Sequence, residues 1–287
     1  MRLAGEDTKI AAITAAMPEG TGLDKFRDRY PERFFDVGIA ESHAICFAAG
    51  LSRAGFKPVV AIYSTFLQRA YDQIIEGVAL QKLGLVLAID RAGIVGGDGV
   101  THQGIFDLVY LRSVPNLVIM VPKDGPELKA MLKFALELKH PVAIRYPKSS
   151  CPVSTLSASP LGLAKAEVLK KGHKAAIISL GSAVLPSLEA AQLLEKQGIS
   201  CSVINARFLK TLDKDLFRGL KQELIFTAEE GVACGGFGSA VQESLDRPVY
   251  RIGLPDEFIA HGSRQVLLGQ YGLTAEGIAA KIKACLR

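Results

Sequence analysis

Apolar and polar positions along this chain switch between two periods. Short β-rich runs, several of them apolar at nearly every position, recur over residues 9–14, 33–37, 59–63, 85–90, 117–121 and 142–145. Unbroken apolar runs of this length mark parallel strands covered on both faces. Between them the period lengthens to that of a helix. Leu128, Met131, Leu132, Ala135 and Leu136 follow the i, i+3, i+4, i+7, i+8 rule, as do Ala44, Phe47, Ala48 and Leu51 ahead of Gly55. The βαβα order predicts an α/β domain over residues 1–148. Residues 147–164 then hold five Ser and three Pro without a clear period, which predicts a linker over 149–165. A second alternating unit occupies 166–287. Its strands are expected at 175–180, 200–205, 223–228 and 249–252. Its helices are expected at 183–197, after Gly235-Gly236-Phe237-Gly238, at 263–270 and at 274–286. The pattern as a whole predicts two α/β domains, each a mainly parallel sheet flanked by helices.

Composition narrows the class. The 287 residues are 49% hydrophobic and 22% charged, the profile of a globular chain with a sizeable core. The net charge of +5 is scattered, with no Lys/Arg block, so a nucleic-acid surface is not indicated. A local excess of Arg beside a small anionic substrate fits the same count. The five cysteines lie far apart and form no Cys-x-x-Cys pair. That predicts reduced thiols in the cytoplasm, with neither zinc nor disulfides. No apolar leader follows Met1 and no run of about 18 apolar residues occurs, so neither a signal peptide nor a membrane span is expected.

Four places carry candidate chemistry. Glu41 stands in Phe35-Asp36-Val37-Gly38-Ile39-Ala40-Glu41-Ser42-His43-Ala44, where a strand runs into a helix. One reading makes it a helix-start carboxylate stabilised by the backbone dipole. The other makes it an acid among small and apolar residues, suited to passing a proton to a heterocycle. The second place, Tyr63 to Asp72, follows an apolar strand and so lies at a carboxyl edge, where open parallel sheets bind ligands. Phe66 can stack on a flat ring, with Arg69 one turn on; equally, Phe66 can be core and Arg69–Asp72 a surface pair. The third is Asp90-Arg91-Ala92-Gly93-Ile94-Val95-Gly96-Gly97-Asp98-Gly99-Val100-Thr101-His102-Gln103-Gly104. Its glycines allow close backbone approach, and Arg91, Asp98 and His102 are types used for anion binding and proton transfer. The fourth is Arg145, at a strand's end, which reads either as a phosphate clamp or as a surface residue at a domain border.

Other features read more plainly. Gly97-Asp98-Gly99 matches the opening of the thiamine-enzyme metal motif. Asn116 comes too early to close that motif, so no metal site is expected. Glu229-Glu230 with Gly235–Gly238 resembles a phosphate loop, but a tight turn is the better reading. His140, His173 and His261 are expected at the surface. No further segment suits the phosphates of a large cofactor, so the chain reads as half of an active site.

Taken together, these stretches resemble the 1-deoxy-D-xylulose-5-phosphate synthase family, transketolase-like enzymes that use thiamine diphosphate. The likeness is carried by residues 12–17, 35–44, 59–73, 90–107 and Arg145-Tyr146-Pro147. In the second domain it continues through Ala206-Arg207-Phe208-Leu209-Lys210, residues 235–241 and His261-Gly262-Ser263-Arg264. It covers essentially the whole chain and implies a pyrimidine-binding domain followed by a C-terminal domain. The implied reaction joins pyruvate to glyceraldehyde 3-phosphate with release of carbon dioxide, in the methylerythritol phosphate route to isoprenoids.

By that resemblance Glu41 bonds the pyrimidine and promotes the tautomer that deprotonates the thiazolium. Phe66 stacks on the pyrimidine with Arg69 nearby, Tyr63, Arg91 and Arg145 hold the aldehyde's phosphate, and Asp98 and His102 face the reacting carbons. Ser42, where the family often has Gln, and Thr211, where Pro is common, are departures. The diphosphate and its Mg2+ are expected on an N-terminal domain or subunit outside this sequence. The expected assembly is a homodimer or heterotetramer, and the isolated chain is expected to be inactive. A 2-oxo acid dehydrogenase E1 β-like subunit and a non-catalytic fragment or assembly protein are the alternatives.

Overall fold

The computed structural model describes residues 1–150 and 159–286. Among the described residues, twelve strands form two sheets. The first sheet takes β1 (Ile10–Thr14), β2 (Phe34–Asp36), β3 (Lys57–Tyr63), β4 (Val86–Asp90), β5 (Val118–Met120) and β6 (Val142–Arg145). The second takes β7 (Glu167–Lys170), β8 (Ala175–Ser179), β9 (Cys201–Asn205), β11 (Leu224–Val232) and β12 (Val249–Leu254). One strand crosses between them: β10 (Phe208–Lys210), from the second half of the chain, joins the first sheet. The orders are β10-β5-β6-β4-β3-β1-β2 and β12-β11-β8-β9-β7. All pairs are parallel except β10 with β5 and β7 with β9.

The two mainly parallel sheets expected from the sequence are present, and each expected strand lies within a few residues of its predicted span. The helices behave likewise. Glu41–Arg53 buries Ala44, Ile45, Ala48 and Ala49. Gly125–Glu137 buries Met131 and Ala135, with Leu128, Leu132 and Leu136 packed beside them. Asp124 caps the latter helix by accepting from the Glu127 N–H at 2.8 Å. The segment after β3 is less regular. Residues 64–79 wind through short α, 3-10 and π turns, a pattern that often accompanies functional sites. Part of the expected linker, residues 151–158, lies outside the described residues, and Cys151 with it.

Two features bind the halves together. One apolar core runs from Ile13, Ile62 and Ile89 of the first sheet to Ile178, Ile204 and Phe237 of the second half. Beside it lies a buried group of charges. Lys123 bonds Glu127 and Glu167 at 3.2 and 3.0 Å, and Arg207 bonds the same two carboxylates at 2.9 and 3.0 Å. Such a group is tolerated in a core only because each charge meets an opposite one. Among the described residues no helix is long and apolar enough to cross a membrane.

Candidate active site

The carboxyl ends of β1, β3, β4 and β6 meet on one edge of the first sheet, where loops can present side chains above the strands. Asp36, at the end of β2, organises the approach. Its Oδ1 accepts from Ala16 N–H at 2.8 Å and Gly38 N–H at 3.0 Å. Gly38, at φ 70°, then turns the chain so that the helix starts on Glu41. Glu41 is 4% exposed, and its Oε1 accepts from Arg69 Nη1 at 2.6 Å. Ser42 pins the helix to the 64–79 run by donating to the Arg69 carbonyl at 2.7 Å.

From Arg69 a line of contacts runs across the edge. The Arg69 guanidinium lies 5.1 Å from the Phe66 ring centre. Phe66 stacks on Tyr63 at 5.5 Å and meets the His102 ring edge-on at 5.4 Å. Tyr63 carries the Arg91 guanidinium 4.2 Å above its face, within cation–π range. The loop after β1 closes over Tyr63, where a Cβ on Gly20 would stand 1.9 Å from the phenol oxygen. Arg91 Nη1 bonds Asp98 at 2.6 Å, and Lys148 Nζ bonds both Asp98 oxygens at 2.8 and 3.0 Å. Lys148, with Arg91 beside it, holds the Asp98 carboxyl below the ordinary carboxylate value. Beneath the loop, Asp90 accepts from Arg91 N–H at 2.6 Å, and burial raises its carboxyl above the ordinary value. Thr101 Oγ1 lies 3.0 Å from His102 Nδ1, and its carbonyl accepts from Thr65 Oγ1 at 2.7 Å.

The structure therefore gathers Glu41, Tyr63, Phe66, Arg69, Arg91, Asp98 and His102 into one constellation. Arg145 does not join it. Its side chain points down into the core and is 4% exposed, with Nε 2.9 Å from both oxygens of buried Asp107. Its Nη2 donates to the carbonyls of Gly104 and Glu230 at 3.2 and 2.7 Å. A guanidinium engaged this way straps the loop to the domain, and its Nε and Nη2 are already taken where the resemblance implies a phosphate clamp. The exposed cation at this strand end is Lys148, three residues on. The sequence reading passed over it because Pro147 marked the start of a linker.

Glu229 and Glu230 form no phosphate loop. The amides at the start of the Phe237–Ser244 helix donate to Glu229, from Phe237 and Gly238 at 2.7 Å each. Burial nonetheless pushes the Glu229 carboxyl up to about 7. Gly235, at φ 74°, makes the turn before that helix, as expected. His140, His173 and His261 are exposed. Among the described residues there is no group of three or more His, Cys, Asp or Glu side chains able to hold a metal.

Comparison with known proteins identifies the two domains that build this edge. Residues 1–153 match the transketolase pyrimidine binding domain, and residues 164–278 the transketolase C-terminal domain. The 1-deoxy-D-xylulose-5-phosphate synthase of Natranaerobius thermophilus is 52% identical over 99% of this chain and 47% of its own length. That of Gloeobacter violaceus is 50% identical over 100% of this chain and 47% of its own. The chain thus spans about half the length of the curated relatives it matches. Among solved structures, a split-gene transketolase described as an inactive β4 tetramer superposes with a TM-score of 0.90 at 34% identity, covering 99% of this chain and 94% of that one. Campylobacter jejuni transketolase, at 23% identity, shares the fold with a TM-score of 0.83 over 98% of this chain and 44% of its own.

Proposed function

Because this chain belongs to the transketolase family, with the pyrimidine-binding and C-terminal domains in the form its 1-deoxy-D-xylulose-5-phosphate synthase relatives carry, we propose that it supplies the C-terminal half of such a synthase. The reaction would join pyruvate to glyceraldehyde 3-phosphate with loss of carbon dioxide, feeding isoprenoid synthesis. The observation that carries this reading is the unbroken line from Glu41 through Arg69, Phe66, Tyr63, Arg91 and Asp98 to Lys148.

The residues fit the pyrimidine end of thiamine diphosphate. A buried carboxylate, a half-buried flat ring and a guanidinium stand side by side, the set that a heteroaromatic ring with hydrogen-bonding nitrogens requires. When bound, the cofactor supplies a nucleophilic carbon and an electron sink for a 2-oxo acid. Glu41 holds the proton exchanged with the ring, and Arg69 fixes the Glu41 rotamer. Phe66 orients the ring from one face, with Tyr63 backing it. His102 and Asp98 stand beside Phe66 and Arg91 and move or hold protons on the substrate carbons. Arg91 and Lys148 hold the aldehyde's phosphate, with Tyr63 supporting Arg91 from below.

The diphosphate and Mg2+ belong to a separate N-terminal chain or domain in this proposal. Ile39 and Val100, 82% and 47% exposed beside Glu41 and His102, mark the face it covers. The four described cysteines are free thiols, in keeping with a cytoplasmic setting.

The test is reconstitution. The chain alone, given thiamine diphosphate, Mg2+, pyruvate and glyceraldehyde 3-phosphate, should give no turnover. Adding a diphosphate-binding half should yield carbon dioxide and deoxyxylulose phosphate, and Glu41→Gln should reduce that rate by roughly 100-fold or more. Turnover by the chain alone removes the need for a partner. Acyl transfer to a lipoyl acceptor in place of the aldehyde would favour the dehydrogenase β-subunit reading.

A further inference from the structure

The loop that presents Asp98 and His102 is closed at its base by Gly93 and Gly104, whose amides and carbonyls bond each other at 2.6 and 2.8 Å. Just above that base the loop meets a carboxylate from the other domain. Glu230, on β11, is 4% exposed. Its Oε1 accepts from Ile94 N–H at 2.7 Å. Its Oε2 accepts from Ser182 Oγ at 2.6 Å and Arg264 Nη2 at 2.5 Å.

The loop is shaped around this contact. Gly93 has φ +79°, and a Cβ there would stand 2.4 Å from Glu230 Oε1. A side chain at 93 would displace the carboxylate. The next residues are held the same way. A Cβ on Gly96 would meet the Arg264 amide nitrogen at 2.7 Å. Gln103 accepts from Val95 N–H at 2.8 Å and donates to the Ala260 carbonyl at 3.2 Å.

A buried carboxylate is tolerated only when bonded on all sides. Here the bonds of Glu230 run from Ser182 and Arg264 to a loop amide that no helix or sheet would otherwise satisfy. Glu229, one residue earlier, contrasts with it by capping a helix of its own domain.

We propose that Glu230 is a positioning residue. It clamps the 93–96 segment to the C-terminal domain and so sets the height at which Asp98 and His102 stand above the sheet edge. The role in turnover rests on the synthase reading above; the clamp itself does not.

Two measurements test it. In Glu230→Ala, hydrogen exchange at the Ile94 and Val95 amides should quicken roughly tenfold or more, the value of a buried bond to a charged group. Amides of Ile62 and Ile89 in β3 and β4 should keep their rates. Glu230→Gln keeps an acceptor for Ile94 N–H but not the charge facing Arg264, and should recover part of the protection. In the assembly with a diphosphate-binding chain, Glu230→Ala should leave thiamine diphosphate affinity within about twofold, since the pyrimidine contacts are untouched. Its kcat should fall by about tenfold or more through misplacement of the loop, and Glu230→Gln should restore part of it.

Should Glu230→Ala not fold, Arg264→Met reads the same amides from the far side of the carboxylate. Unchanged exchange at Ile94 and Val95, or equal loosening of β3 and β4 in these variants, overturns the clamp. Exchange needs no turnover, so a wild-type chain that never gains synthase activity defeats the functional reading while the exchange result still decides the clamp.

Discussion

Arg145→Met separates a strap from a substrate contact. The guanidinium is 4% exposed and sits 2.9 Å from both oxygens of Asp107, whose side chain is 0% exposed. Removing the cation leaves that carboxylate buried beside a thioether, at a cost of about 3–5 kcal/mol. The Gly104 and Glu230 carbonyls lose this donor as well, at about 1 kcal/mol each at most, since Gly104 O keeps the Gly93 N–H. Against a total stability of roughly 5–15 kcal/mol, the loss should move a urea midpoint by a large fraction. Pairing the change with Asp107→Leu removes the orphaned charge and should restore about half of the lost stability, because only the guanidinium's bonds to the two carbonyls are then missing. The assay is urea unfolding by circular dichroism on wild type, both single variants and the double. A loss below about 1 kcal/mol in Arg145→Met, together with weakened binding of a phosphate-bearing aldehyde analogue, would show that the guanidinium faces the site after all.

Two further outcomes follow from the charges. In Lys148→Met the Asp98 carboxyl should titrate closer to an ordinary carboxylate, seen by carbon-13 NMR of the labelled side chain; an unmoved titration would assign the whole effect to Arg91. Glu229, raised to about 7 by burial, binds its proton more tightly when folded than when unfolded. Its contribution is therefore full below the unfolded value near 4.5 and is lost as pH rises to about 7, by up to roughly 3 kcal/mol, with no further change above. Glu229→Gln should lack this component, so the stability difference between the two proteins should drift across that window; a constant difference would refute the buried neutral acid.

Much of the fold was legible because its strands are long apolar runs whose burial is decided locally. β7 and β10 were not. β7 is an edge strand whose residues Glu167–Lys170 are only half-buried or exposed, so no apolar run announces it. β10 has three residues and exists by pairing Phe208 with Met120, a partner 88 positions earlier in another domain. The site divides along the same line. Tyr63, Phe66 and Arg69 share one segment, and Arg91, Asp98 and His102 share another, so local composition exposed both. The burial of Arg145 was not legible because a strand-end arginine looks alike whether it faces solvent or an acid below. Asp107, which decides the matter, acts only through the folded core.

The C-terminal half carries none of the candidate site residues, yet the physics of its contacts gives it a part in the site. It lends β10 to the first sheet and shares that sheet's apolar core. It also completes the buried pairing of Lys123 and Glu127 through Arg207 and Glu167. Its Glu230, Ala260, Gly262 and Arg264 stand against the loop from Gly93 to Gln103. A Gly-rich loop of this length has too little apolar surface to hold one shape alone. The C-terminal domain thus holds the loop at residues 93–96 and 103, while Asp98 and His102 are held by Arg91, Lys148, Phe66 and Thr101 of the first domain. Under the proposed function, the two domains would then act as one half-site rather than as a catalytic domain with an appendage.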